Sequence, residues 1–461
     1  MNSPFRLNNL HRLPSAAVSV FALMVWTAEP AGATVNAVPG QLVVSYEHGT
    51  SSARQDSIAA ASGVTPSEQV SPTAQVVKLK PGQSVANAIS RLKASGDVAH
   101  AVPNVIAHMA GASTWQPNDI GRTGRAAGGW LNSQWNFSSN SGVGAMPAWG
   151  NLLAVGRPGG SGVKIAVVDS GVAFTNWGKF QRSPDFTTTI FSDPYDFIAR
   201  NRFPLDRNGH GTHVTGTIAE STNNGIFMTG LAWGATIMPL RVLDALGNGD
   251  SATIARAIRY AADHRADVIN LSIEFDTRTN GRDIPEVISA VRYANSKGSL
   301  VVAAAGNDST ESVAYPARAA NVLAVGASTE HRCLSDFSNF GTGLDIVAPG
   351  GGIDREIADD PSCRPTDTPG RDIVQLGLKQ SSRGSALVPY QFELDAEDGT
   401  SMAAPHVSAT AALVIASGIL GPRPTPAAIS ARLMATADAK GSARYYGAGL
   451  LNAARATAPL G

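Results

Sequence analysis

The sequence predicts an α/β fold, doubly wound, with a mostly parallel sheet covered by helices on both faces and a small α+β unit ahead of it. Three observations carry this. Val163–Val168, Val268–Leu271, Leu300–Ala305 and Val322–Val325 are short continuous apolar runs, as strands buried on both faces require. Between them Ile254, Ala257, Ile258 and Ala261 repeat at helical spacing, and Ile284, Val287, Ile288 and Val291 do so again. Composition agrees: of 461 residues 47 are Gly and 27 Pro, and only 16% are charged, so turns are tight and backbones approach closely. With 36 Lys+Arg against 36 Asp+Glu the net charge is zero, which excludes electrostatic capture of nucleic acid. The 43% hydrophobic content excludes a disordered chain.

From the N-terminus, Arg6 and Arg12 precede an apolar run from Ala16 to Trp26, followed by Ala31-Gly32-Ala33. That order of positive, apolar and small residues is a signal peptide, residues 1–33, and the run is too short to span a bilayer. We therefore expect an exported protein with no membrane span once the signal is removed, secreted or held in the periplasm or cell envelope. Export lets Cys333 and Cys363 form a disulfide, with two free thiols as the alternative. Residues 38–109 read as a separate small α+β unit. Gln41–Tyr46, Gln75–Lys80 and Val98–Ala107 are strand-like, and Val85, Ile89 and Leu92 share one helical face. Residues 110–145, rich in Gly and Ser at 111–126 and 138–144, read as a linker and mature N-terminal segment. Residues 146–461 form the α/β domain.

In such a sheet, functional groups gather at the carboxyl ends of strands. Val163–Val168 runs into Asp169-Ser170-Gly171, and Leu300–Ala305 into Gly306-Asn307. Asn208-Gly209-His210-Gly211-Thr212-His213 opens a helix, and Gly399-Thr400-Ser401-Met402-Ala403-Ala404-Pro405-His406 opens another. Each piece alone has a bland reading: a turn Asp, a helix-capping Ser. The two histidines at i and i+3, with Gly211 between, do not match the i, i+4 spacing and intervening Glu of a zinc helix. Together an acid, an imidazole, a hydroxyl and an amide make the set needed for nucleophilic acyl transfer. His213 and His406 read as structural, because one base suffices.

These segments resemble the motifs of the subtilisin-like serine proteases, peptidase family S8. The likeness extends to Asp267-Val268-Ile269-Asn270-Leu271-Ser272 and Tyr446-Gly447-Ala448-Gly449-Leu450-Leu451-Asn452, and runs from about Ser133 to Ala454. The chain order Asp, His, Ser is that of this family. The resemblance implies a secreted serine endopeptidase acting on protein or peptide substrates through an acyl-enzyme. Ser401 would be the nucleophile, His210 the base, Asp169 the orienting acid and Asn307 the oxyanion-hole donor. At its reference pKa of about 6.5, His210 would be neutral and available near pH 7. The unit 38–109 resembles the family's inhibitor-type propeptide, implying an autoprocessed zymogen cut between His108 and Thr114, with the propeptide as intramolecular inhibitor. The mature enzyme is expected to be a monomer.

Two departures stand out. After Ser272 the family pattern continues with a glycine pair, whereas Ile273, Glu274 and Phe275 follow here. We take Ser272, Ile273 and Glu274 as candidate substrate-binding residues of a reshaped cleft, with Glu274 either favouring a basic residue upstream of the scissile bond or pointing to solvent. The polar, Pro/Gly-rich stretch 351–397 is unusually long and reads as a mobile loop tethered by Cys363. No cofactor is expected for the chemistry. Ser221–Gly230, with Asn223 and Asn224, resembles a family calcium loop, which leaves a structural calcium and no metal as alternatives, because carbonyl ligands leave no trace in a sequence. The rival from another class is a catalytically silent binding protein on the same fold. An esterase reading fails because no G-x-S-x-G elbow surrounds Ser401.

Overall fold

The computed structural model describes residues 37–105, 115–122, 127–358, 360, 362–365, 369–380 and 387–459. The expected signal peptide and the processing stretch 108–114 lie outside them. Two compact units result, Met1–Ala110 and Gly111–Gly461.

In the first unit β1 (Ala37–Tyr46), α1 (Ser52–Ala61), β2 (Val64–Ser71), β3 (Ala74–Leu79), α2 (Val85–Lys93) and β4 (Val98–Val105) follow in order. The strands form an antiparallel sheet in the order β2-β3-β1-β4. Along β1 alternate residues Leu42, Val44 and Tyr46 are buried, so one face of the sheet is covered. Ile58 and Ala59 of α1 and Ala88 and Leu92 of α2 supply the cover. This is the small α+β unit the periodicity predicts. The helix α1 and strand β2 go beyond it, because β2 is polar and mostly exposed.

The second unit begins with α3 (Ala145–Ala154) and β5 (Lys164–Asp169), then the two-residue strands β6 (Ile190–Phe191) and β7 (Tyr195–Asp196). It continues through α4 (His210–Ala219), β8 (Thr236–Arg241), α5 (Ser251–Asp263), β9 (Val268–Leu271), α6 (Pro285–Ser296), β10 (Leu300–Ala304), β11 (Val322–Ser328) and β12 (Ile346–Pro349). Next come β13 (Ile373–Gln380), β14 (Leu387–Glu397), α7 (Thr400–Ser417) and α8 (Pro426–Ala435). The parallel sheet has the order β12-β11-β10-β9-β5-β8-β6, with β7 also beside β8. Period-two alternation sends Ile165 and Val167 to one core with α3, α4 and α7, and Ala166 and Val168 to the other with α5 and α6. Each fully buried Val or Ile contributes roughly 1.5–3 kcal/mol, so the two-sided burial of these strands dominates the stability of the unit.

Two parts of the unit differ from the sequence expectation. Within 110–145, expected as linker and N-terminal segment, Trp130, Trp135 and Phe137 are buried, and Trp130 and Phe137 join Trp149 in an edge-to-face aromatic cluster. The stretch expected as a mobile loop contains the antiparallel hairpin β13–β14, paired from Ile373 with Glu397 to Gln380 with Leu387. Its first strand, with buried Ile373, Val374, Leu376 and Leu378, lies against α4. The Leu376 amide donates to the Glu220 carboxylate at 3.0 Å. Cys333 and Cys363 are joined in a disulfide.

Candidate active site

Asp169 ends β5, His210 opens α4, Asn307 follows β10, and Ser401 lies in the first turn of α7. The topology thus brings all four expected residues to the carboxyl edge of one parallel sheet, where loops rather than ladder bonds set side-chain directions. Asp169 is fully buried, and its Oδ1 accepts from the Ser170 amide at 2.7 Å and from His210 Nδ1 at 2.8 Å. His210 therefore presents its other nitrogen to a cleft of about 330 Å³ that Ser401, Leu243, Gly247–Gly249 and Ser272–Phe275 also line. Gly211 makes the approach possible: a Cβ there would overlap the Gly171 carbonyl oxygen.

The start of α4 has no capping side chain of its own. Asp206 supplies one, accepting from the amides of Asn208 and Gly209 and from Thr212 N at 2.9 Å each, while Ser170 Oγ donates to it at 2.9 Å. Sequence reasoning missed Asp206, because it lies three residues before the N-cap position, which Gly209 fills.

On the nucleophile side, Pro405 lies inside α7 and cannot donate to the carbonyl four residues back, that of Ser401. Ser272 Oγ supplies the missing donor at 2.7 Å, bracing the nucleophile's backbone from the end of β9. Ser272 thus braces Ser401, and both it and Ile273, which is almost fully buried, also line the cleft. Ser401 Oγ donates to the Ser272 carbonyl at 3.2 Å. No hydrogen bond joins it to His210 among the described residues. Before substrate binds, such contacts are often long and tighten only in the complex. The Ser401 amide has no acceptor among the described residues and sits at the positive end of α7. Asn307 Oδ1 accepts from Thr400 N at 2.8 Å and Thr400 Oγ1 at 3.0 Å, which orients its amide. That amide and its backbone N–H both donate to the Glu274 carboxylate, at 3.2 Å each. Glu274 is exposed, yet it turns toward Asn307 rather than away from the cleft.

Burial alone would push the His210 imidazole down, but the charge and hydrogen bond of Asp169, with Glu397 and Asp206 behind them, raise it to about 9. The expectation of a neutral imidazole near pH 7 rests on the reference value alone and includes none of these charges. Burial pushes Glu397, the last residue of β14, up to about 7. Its effect on His210 left no signal in the sequence beyond its place four residues before Ser401. His213 and His406 are fully buried, and burial pushes each down to about 4. His406 Nδ1 donates to the Met402 carbonyl and its Nε2 accepts from Asn136, while His213 Nε2 donates to the Ile373 carbonyl. Both are structural, as expected.

At Ser221–Gly230 the amides of Asn223 and Asn224 donate to the buried Asp119 carboxylate at 2.8 and 2.9 Å. The buried Asp185 accepts from Asn224 Nδ2 at 2.7 Å and Met228 N at 3.0 Å. Burial above all, with a smaller push from the neighbouring Asp119 charge, raises Asp185 to about 7, and no cationic side chain among the described residues compensates either group. The two buried carboxylates are met by N–H donors of the turn and by the Asn224 amide, and a hard cation would supply the positive charge they lack, although no cluster of three acidic, His or Cys side chains forms there among the described residues.

An acid-oriented imidazole and a braced serine at the edge of a parallel sheet define a serine hydrolase of the α/β class. The subtilase family model matches residues 160–449, and the fervidolysin N-terminal prodomain model matches residues 27–104. A thermophilic serine proteinase of Bacillus sp. strain AK1 is 39% identical over 260 residues, 56% of this chain and 54% of that protein. Subtilisin Savinase of Lederbergia lenta is 36% identical over 300 residues, 65% of this chain and 91% of that protein. A solved protease structure from Pseudoalteromonas arctica, 27% identical, superposes with a TM-score of 0.58, covering 74% of this chain and 99% of that one. The chain belongs to the subtilase family and is a subtilisin-like serine protease with an N-terminal prodomain. It spans about half the length of the Bacillus relative.

Proposed function

We propose that the chain is a secreted or envelope-associated endopeptidase that acts as a monomer and cuts protein or peptide substrates with Ser401, His210 and Asp169. Ser401 Oγ attacks the scissile carbonyl carbon while His210 takes its proton, and the carbonyl electron pair moves onto oxygen as an anion. Asp169 holds the Nδ1–H tautomer and stabilises the imidazolium. Asn307 Nδ2 and the Ser401 amide meet the oxyanion. Collapse expels the amine with the proton from His210 and leaves an acyl-enzyme that water hydrolyses by the same route. The single observation that carries this reading is the 2.8 Å contact of His210 Nδ1 with buried Asp169, which aims the free nitrogen into the cleft that Ser401 lines.

The residues 38–109 act as an intramolecular inhibitor until autocleavage. Calcium is structural, held by Asp119, Asp185, Asn224 and carbonyls of the loop 221–230, where it supplies positive charge to two buried carboxylates. The central test is covalent labelling with a fluorophosphonate followed by peptide mapping, alongside casein hydrolysis. We expect the label on Ser401 and no hydrolysis by Ser401→Ala. Equal activity in that variant would end the reading.

A further inference from the structure

The amide expected to meet the oxyanion is already engaged by an acid. Glu274 Oε1 accepts from Asn307 Nδ2, and Oε2 accepts from the Asn307 backbone N–H. The seat is fitted to the carboxylate. Gly306 has φ +106°, and a Cβ there would meet Asn339 Nδ2 first and Glu274 Oε2 next, so the bare residue before Asn307 leaves room for both side chains. Asn307 cannot turn away, because Thr400 holds its Oδ1 with two donors. The residue as a whole is exposed, but partial desolvation of its carboxyl against Asn307, and then the charge of Asp308, raises that group above its usual range. No Lys or Arg pairs with it among the described residues. A carboxyl group with no cationic partner therefore lies in the cleft that Ser401 also lines, on the same Asn307 NH2 group that the developing oxyanion would use.

We propose that Glu274 selects substrates by holding this amide: a Lys or Arg side chain on the acyl side of the scissile bond pairs with the carboxylate and draws it off Asn307, freeing Nδ2 for the oxyanion. The inference rests on the assignment of Ser401 as nucleophile and Asn307 as oxyanion donor. An apolar side chain offers no charge to compensate for stripping the carboxylate from two N–H donors, and an acidic one is repelled. Specificity then acts on the chemical step as well as on binding, because the cationic substrate assembles the oxyanion hole that processes it.

The test uses the active product of the full chain and three fluorogenic peptides that differ only in carrying Arg, Leu or Glu on the acyl side. Wild type, Glu274→Gln and Glu274→Gly are compared, each normalised by fluorophosphonate titration of Ser401. Wild type should prefer Arg over Leu by at least about tenfold in kcat/KM, and Glu274→Gly should erase most of that preference with kcat on the Leu peptide rising. A merely structural Glu274 would change all three peptides together. Equal kcat/KM for Arg and Leu in wild type, or an unchanged ratio in titratable variants, overturns the proposal. Should neither variant titrate, wild type decides alone. An arginine aldehyde, whose tetrahedral adduct needs the freed amide, must then inhibit at least about tenfold better than the leucine aldehyde, and equal inhibition overturns the proposal. Failure of the nucleophile assignment looks different, as wild type would not take the fluorophosphonate on Ser401.

Discussion

A protonated imidazole cannot take a proton from a serine, so the raised pKa of His210 converts directly into a pH dependence. With the free-enzyme value near 9, kcat/KM should climb as pH rises through about 9, and a midpoint near 6.5 would contradict the arrangement. Stability runs the other way. A group whose pKa is higher folded than unfolded stabilises the fold fully below its unfolded value and loses that contribution as pH rises through the folded one. Here the contribution is roughly 3 kcal/mol, present below about pH 6.5 and gone above about pH 9. Denaturant unfolding of Ser401→Ala at the two limits measures it without self-digestion. Glu397→Gln should move the activity midpoint down, because one of the charges holding the imidazolium is removed.

At the scale of elements, the loop 221–230 makes a separate claim. A cation bound at the two buried carboxylates beside it, Asp119 and Asp185, would stabilise the fold by mass action, by about 2.7 kcal/mol at a calcium concentration a hundred times Kd. Chelation should therefore lower Tm, and Asp185→Asn should abolish the difference between calcium and chelator. An identical Tm in fully stripped protein would dismiss the site. The strands and helices of the parallel sheet are legible in the sequence because unbroken apolar runs alternating with three- and four-residue spacings suit few architectures besides a helix-covered parallel sheet. The hairpin β13–β14 is not legible. Its first strand is buried almost throughout and shows no alternation, and the Pro, Gly and Ser around it read as loop. The four chemical residues are legible for a different reason, each being flanked by small residues that close approach demands. The brace from Ser272 and the cap from Asp206 emerge only from geometry, since a lone Ser or Asp in a sequence names no partner. Glu274 shows in the sequence only as bulk where a glycine is expected, and its grip on Asn307 depends on how two loops meet.

For the whole molecule, the division into two units makes the zymogen reading measurable. The mass of the active secreted product should place its first residue between His108 and Thr114, and recovery of residues 38–107 covalently attached to active enzyme would refute that processing scheme. The aromatic cluster of Trp130, Trp149 and Phe137 adds a practical consequence. Of seven tryptophans, Trp26 falls in the expected leader and the other six lie between Trp115 and Trp233. Residues 37–105 contain none, and Tyr46 is their only aromatic side chain apart from histidine. Tryptophan emission is therefore an optical signal from the protease unit alone, blind to the melting or digestion of the unit ahead of it, so that the two fates can be followed separately in one cuvette.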